Sequence, residues 1–131
     1  VAGYSATPLG KKLGITERSR IVLEGLPVDV DLEIPESATV LTSKRGETDV
    51  IVAFFLERSR LERRGPVLGE RIRPDGGMWI AWPKRTSKVP TDLTDDVVRS
   101  VLLPLGLVDT KVCAIDDTWT GLRFVWRRTL R

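Results

Sequence analysis

Apolar positions along this chain fall into two kinds of run. Residues 49–56 (DVIVAFFL) and 78–82 (MWIAW) are apolar almost throughout, the pattern of strands covered on both faces inside a parallel sheet. Shorter runs at 20–24 (RIVLE) and 38–42 (ATVLT) predict two more strands. TKVCAI (110–115) and LRFVWRR (122–128), joined by DDTWTG, predict a closing antiparallel hairpin. Asp75-Gly76-Gly77 supplies the tight turn before 78–82, since glycine tolerates positive φ. Residues 25–37 alternate at Val28, Val30, Leu32 and Ile34, an extended pattern bracketed by Pro27 and Pro35.

Helical spacing occurs in three places. In TPLGKKLG, Thr7 is a candidate cap, Pro8 suits the first helical position, Leu9 and Leu13 share a face, and Gly14 suits the stop. Near Ser59, the pair Ser59 and Glu62 has the spacing of a capping box, and Leu61, Leu68 and Ile72 fall close to one face. Gly65-Pro66 is expected to kink or split this helix, because proline removes a backbone donor and crowds the preceding turn. Thr94 is expected to cap a third helix, with Asp95 and Asp96 in the first turn where the dipole favours them. Val97, Val98, Val101, Leu102 and Leu105 form its apolar face, and Gly106 ends it.

Strands alternating with helices predict one α/β domain over 1–131, with 1–15 as an N-terminal arm carrying a short helix. Right-handed crossovers and the final hairpin predict the strand order 2-1-3-4-6-5, counted along the chain, with only the last strand antiparallel.

Composition narrows the chemistry. The chain has no histidine, which removes Ser-His and Cys-His nucleophile systems and histidine-ligated zinc. Its single cysteine, Cys113, can form neither an internal disulfide nor a thiolate cluster. Cys113 sits mid-strand between Val112 and Ala114, so a buried, inert thiol is expected. No phosphate-binding P-loop pattern occurs, and the acidic pairs Asp95-Asp96 and Asp116-Asp117 are too common to specify a metal. Basic residues exceed acidic ones by only 21 to 18, and glutamates interleave the cluster RSRLERRGPVLGERIR, so a solvated helix face is expected there rather than a nucleic-acid surface. No apolar run approaches a bilayer span and the N-terminus has no hydrophobic signal core, so the expected location is the cytoplasm, away from membranes.

At RPDGGMWIAW and GLRFVWRR the chain resembles the later half of the class I methyltransferase fold, over roughly residues 20–128. That resemblance implies an open, mostly parallel Rossmann-like sheet with a C-terminal antiparallel hairpin. The cofactor half of the pattern is missing. EGLPVD follows the first strand in place of a glycine-rich loop opening a helix, and Thr42-Ser43-Lys44 follows the second where the pattern wants a carboxylate for the ribose. No adenosylmethionine or other cofactor is therefore expected. The blocks AGYSATPLGKKLGI, PDGGMWIAWPK, TDLTDDVVR and GLVDTKVCAIDDTWTGLRFVWRR are also similar to a family of small uncharacterised bacterial proteins, which brings no activity with it.

Open parallel sheets bind ligands beyond the carboxyl ends of their strands. Here that edge should carry Glu24-Gly25, Phe55-Leu56-Glu57, Trp82-Pro83-Lys84 and the loop to Asp92. With the fifth strand parallel, as the resemblance implies, DDTWTG joins them, and Lys84, Asp92, Asp116, Asp117 and Trp119 are expected to gather as a ligand-binding group. Each also has a plainer role open to it: an ion pair for Lys84, a cap for Asp92, turn chemistry for Asp116 and Asp117, and core packing for Trp119. The function expected is a non-catalytic methyltransferase-like domain that binds a partner protein or a small anionic metabolite at this edge. The alternative is a small enzyme using Lys84 with Asp92 or Asp116 as an acid/base pair.

Overall fold

Six strands build one sheet in the computed structural model, which describes residues 7–131. Residues 1–6, the start of the expected N-terminal arm, lie outside the described residues. The strands are β1 (Arg20–Glu24), β2 (Thr39–Val40), β3 (Val50–Phe54), β4 (Gly77–Pro83), β5 (Leu107–Ala114) and β6 (Trp119–Trp126). Their order is β2-β1-β3-β4-β6-β5. The pairs β2/β1, β1/β3 and β3/β4 are parallel, while β6 runs antiparallel to both β4 and β5. The expected order and the single antiparallel strand are both found. Helices α1 (Leu9–Lys12), α2 (Arg58–Arg71) and α3 (Asp95–Leu102) complete the fold.

Alternate residues of the central strands enter two separate cores. Ile51, Ala53, Met78, Ile80, Trp82, Leu122 and Phe124 pack beneath α2 and α3, against Leu61, Leu68, Val98 and Leu102. Val50, Val52, Phe54, Trp79 and Ala81 face the other way and are covered by Leu9, Leu13, Ile15, Val30 and Leu32. Each such aliphatic or aromatic side chain contributes roughly 1.5–3 kcal/mol on full burial. Two of the three buried tryptophans also satisfy their donors within the protein. The Trp79 Nε1–H donates to the Leu13 carbonyl at 2.8 Å, and the Trp126 Nε1–H to the Gly69 carbonyl at 2.8 Å.

Several local expectations shift because distant groups intervene. Helix α1 starts at Leu9 with Pro8 at the N-cap, and its first amide donates to Glu33 Oε1 at 3.1 Å, from 24 residues away. Gly14 has the positive φ of 82° that its role as a stop requires. Helix α2 starts at Arg58, and the Ser59–Glu62 box does not form its cap. The Arg58 amide donates instead to Asp92 Oδ1 at 2.7 Å, which places a carboxylate at the positive end of the helix dipole. Pro66 neither splits nor ends α2, which runs unbroken to Arg71. The carbonyl it leaves unbonded belongs to Glu62, on the exposed side of the helix where water can bond it, and the buried Gly65 lets Leu102 approach. Thr94 caps α3 as expected, its side chain accepting from the Val97 amide.

Residues 25–37 form no strand. An Asp31 carboxylate accepts from the Glu33 amide, Glu33 takes a φ of 53°, and Val28 stands fully exposed while Val30 and Leu32 turn inward. The hairpin turn is shorter than DDTWTG, since Trp119, Thr120 and Gly121 already belong to β6. Cys113 is half-buried, not buried, because β5 lies at the sheet edge. Burial still pushes its thiol pKa up, with Lys12 acting in the opposite direction. Among the described residues no helix is long and apolar enough to cross a membrane, and no three carboxylate or thiol groups are placed to hold a metal ion.

Candidate functional site

The carboxyl edge of the sheet has two crevices of different character. The first lies between β1 and β3, where the chain leaves β1 toward one face and enters α2 from β3 on the other. Its floor is filled by the protein itself. Glu24, only 16% exposed at its side chain, accepts from Arg64 Nη2 at 2.7 Å and from Arg64 Nε at 2.9 Å, with Arg60 at 4.0 Å. The hydrogen bond to Glu24 raises the Arg64 pKa, with burial opposing it. Gly25 has a φ of 67°, and a Cβ on it would lie 2.7 Å from the Phe54 carbonyl oxygen.

The second crevice is a cleft of about 570 Å³ on the α3 side of β4 and β6. Trp82, Leu93, Leu122 and Val112 give it an apolar lining, and the 84–91 segment forms one wall. Pro83 ends β4 without a backbone donor, and the Lys84 amide turns to the hairpin, donating to the Thr118 carbonyl at 2.7 Å. Ser87 closes the segment on itself. Its Oγ donates to the Lys84 carbonyl at 2.6 Å and accepts from the Val89 amide at 3.2 Å. Lys88 sits in the left-handed region with a φ of 61°. At the far end, the Thr91 hydroxyl donates to the Leu56 carbonyl at 2.5 Å. Lys84, Arg85 and Lys88 all line the cleft, and none of the three side chains has a hydrogen bond or ion pair among the described residues. Arg99 on the opposite wall is committed: it meets Asp109 at 3.2 Å, Asp95 at 3.5 Å and Asp96 at 3.7 Å. The hydrogen bond to Asp109 is the main cause of its raised pKa.

Of the five residues expected to gather, the structure brings only Lys84 to this cleft. The alternation that points Met78, Ile80 and Trp82 toward α3 carries on to Lys84. Asp92 is the cap of α2. Asp116 folds onto its own turn, its Oδ1 accepting from the amides of Thr118 at 2.8 Å and Trp119 at 2.7 Å. Asp117 is exposed in the same turn. Trp119 pairs with Pro83 but points to the other core, where its ring meets Phe54 edge-on at 5.1 Å. The hairpin turn is thus beside Lys84 through the backbone, while its side chains look elsewhere. Arg85 and Lys88, which also line the cleft, were not anticipated, although KRTSK, directly after an apolar strand, was the signal that could have found them.

No family model matches the sequence, and no curated protein matches it. Solved structures do. The chain is similar to a ribosomal protein L11 methylase from Lactobacillus delbrueckii subsp. bulgaricus, with a TM-score of 0.58 and 12% identity over 92% of this chain and 76% of that one. It is also similar to the fibrillarin pre-rRNA processing protein of Methanococcus jannaschii, with a TM-score of 0.50 and 13% identity over 93% of this chain and 70% of the other. A third likeness is to magnesium protoporphyrin IX methyltransferase from Synechocystis PCC 6803 with bound SAH, with a TM-score of 0.51 and 10% identity. It covers 69% of this chain, which spans only 51% of that enzyme's length. At these identities the likeness establishes the fold: a Rossmann-like, methyltransferase-like sheet.

Such a fold implies adenosylmethionine at the first crevice, and the residues there do not fit it. The Glu24–Arg64 pair fills the end of β1, the Gly25 backbone is pressed against Phe54, and Leu41-Thr42-Ser43-Lys44 after β2 offers no carboxylate for a ribose.

Proposed function

We propose that this domain is a non-catalytic, methyltransferase-like binding module, and that the cleft beside β4 takes a small anionic ligand. One observation carries the reading: three cations that have no side-chain partner among the described residues, Lys84, Arg85 and Lys88, stand on one wall of an apolar cleft. Cations over an apolar floor attract an anion more strongly than the same cations on an open surface, because the local dielectric is lower. Thr94 and Thr120 also line the cleft, and the Thr120 hydroxyl can help orient a bound molecule, while that of Thr94 already accepts from the Val97 amide. A protein partner docking on Trp119 has less support, since that ring is packed against Phe54 and is only half-exposed. The enzyme alternative has less support too, because Asp92 and Asp116 are both committed to backbone amides. The resemblance to the uncharacterised bacterial family and a cytoplasmic location belong to the same reading, supported by the sequence blocks and the single cysteine.

Lys84→Ala tests the proposal. Thermal unfolding is followed with and without a panel of anionic metabolites. A ligand held at about 100 times its Kd stabilises the wild type by about 2.7 kcal/mol. The variant is expected to stay within about 0.5 kcal/mol of wild type when unliganded, and to lose the ligand-induced shift. A variant that keeps the full shift removes Lys84 from the site.

A further inference from the structure

Resting on that reading, we propose that the ligand is a phosphate monoester on an apolar, flat body, with its phosphate held by the Lys84–Lys88 turn. The charge count on the turn motivates the head group. A carboxylate carries one charge and would leave two of the three cations uncompensated. A phosphate monoester carries about −1.5 to −2 charges at neutral pH and offers three acceptor oxygens, enough to engage all three side chains.

The backbone supports a built arrangement rather than a scatter of surface charge. Ser87 ties both ends of the turn, through the Lys84 carbonyl and the Val89 amide. Lys88 is a non-glycine residue in the left-handed region, a conformation that glycine would adopt without strain. The lysine supplies the third charge at that position.

The rest of the cleft restricts the other end of the ligand. Arg99 is outnumbered by Asp95, Asp96 and Asp109, and Asp95 itself lines the cleft, so the far wall is net negative and has no free cation for a second anionic group. The floor of Trp82, Leu93 and Leu122 is apolar and favours a flat hydrophobic body over a hydrated one. The site therefore has one cationic wall, an apolar floor, and a far wall whose carboxylates disfavour a second anionic group.

Isothermal titration with three probes tests the head group and the body together: 1-naphthyl phosphate, 1-naphthoate and inorganic phosphate. Naphthyl phosphate is expected to bind at least about tenfold more tightly than either of the others. Its affinity should rise as pH increases through about 6, where the phosphate loses its second proton, while that of naphthoate stays level. Lys88→Gly is expected to weaken naphthyl phosphate by about tenfold while leaving the melting temperature equal to or above that of wild type. Naphthoate binding as tightly as naphthyl phosphate would overturn the head group yet leave the cleft an anion site. Inorganic phosphate equalling naphthyl phosphate would overturn the apolar body. An unchanged affinity in Lys88→Gly would overturn the three-cation arrangement. If no anion gives a stabilisation that Lys84→Ala removes, the underlying reading of the cleft fails as well.

Discussion

The two crevices on the carboxyl edge of this sheet are made from similar materials and end in opposite states. Between β1 and β3 the protein supplies both a carboxylate and its guanidinium partner, so the charges are consumed internally, and the next residue, Gly25, leaves no room for a Cβ against the Phe54 carbonyl. Beside β4 the carboxylates gather round Arg99 on one wall, and the other wall carries Lys84, Arg85 and Lys88 with no side-chain partner among the described residues. An internal pair gives rigidity and leaves nothing for a ligand. Unpaired cations above an apolar floor add little stability and leave attraction to spare. The β1/β3 pair is clamped at its other end as well, where Arg20 and Asp49 meet at 3.3 Å. The fold therefore closes the side where related folds open for a cofactor with internal ion pairs, while the β4 cleft has one wall of paired charge at Arg99 and one wall, at Lys84, Arg85 and Lys88, whose cations have no partner among the described residues.

The largest expected effect tests the closed side. In Gly25→Ala the new Cβ would meet the Phe54 carbonyl oxygen at 2.7 Å, on a backbone already at a φ of 67°. A loss of about 2–3 kcal/mol is expected in urea denaturation. Gly46→Ala serves as the comparison, because its φ of 101° is also positive but no atom lies within 4 Å of the added carbon. Equal losses in the two variants would mean that close packing does not seal the crevice.

A smaller effect tests where the open side ends. Asp92→Ala removes the cap of α2 and is expected to cost about 1 kcal/mol of stability, again by urea denaturation, with anion binding retained. Lost binding at unchanged stability would return Asp92 to the site and enlarge the cleft's functional boundary.

The smallest effect concerns the clamp beneath the closed side. Burial raises the Asp49 pKa, but hydrogen bonds from the Arg20 amide and guanidinium outweigh it and hold the carboxyl below its usual 3.8. The charged carboxylate thus stabilises the fold above the unfolded value, and that contribution is lost as pH falls below 3.8 through the lower folded value. Asp49→Asn should flatten the acid limb of a stability-against-pH curve in that window. The pair is half-exposed, so the change is modest and shrinks further in salt.

Which features could be read in advance follows from the range of the interactions behind them. Strands β3 and β4 were legible because burial on both faces leaves an unbroken apolar run, and the Thr94 cap because its partner amide is three residues away. Glu33 and Asp92 act as caps across 24 and 34 residues, and no local pattern encodes such reach. Ser59 and Glu62 had the right spacing and lost to a distant carboxylate already at the helix start. The place of Lys84 at the carboxyl edge was legible from the end of the apolar run at Trp82-Pro83, while Trp119 was expected at that edge because its strand was taken to begin at Leu122. Once Trp119 lies inside β6, the parity that sends Leu122 and Phe124 toward α3 must send Trp119 the other way.

The segment that walls the cleft is tethered at both ends. The Lys84 amide holds the hairpin turn at one end, and Thr91 and Asp92 hold the Leu56 carbonyl and the Arg58 amide at the other. A free loop of this length would surrender much of its conformational entropy when a ligand arrived, and affinity would fall by that amount. Here the ordering is completed during folding, with one short span strung between two fixed supports. An anion taken there, as proposed, would meet a wall already in place, so more of its contact energy would appear as binding.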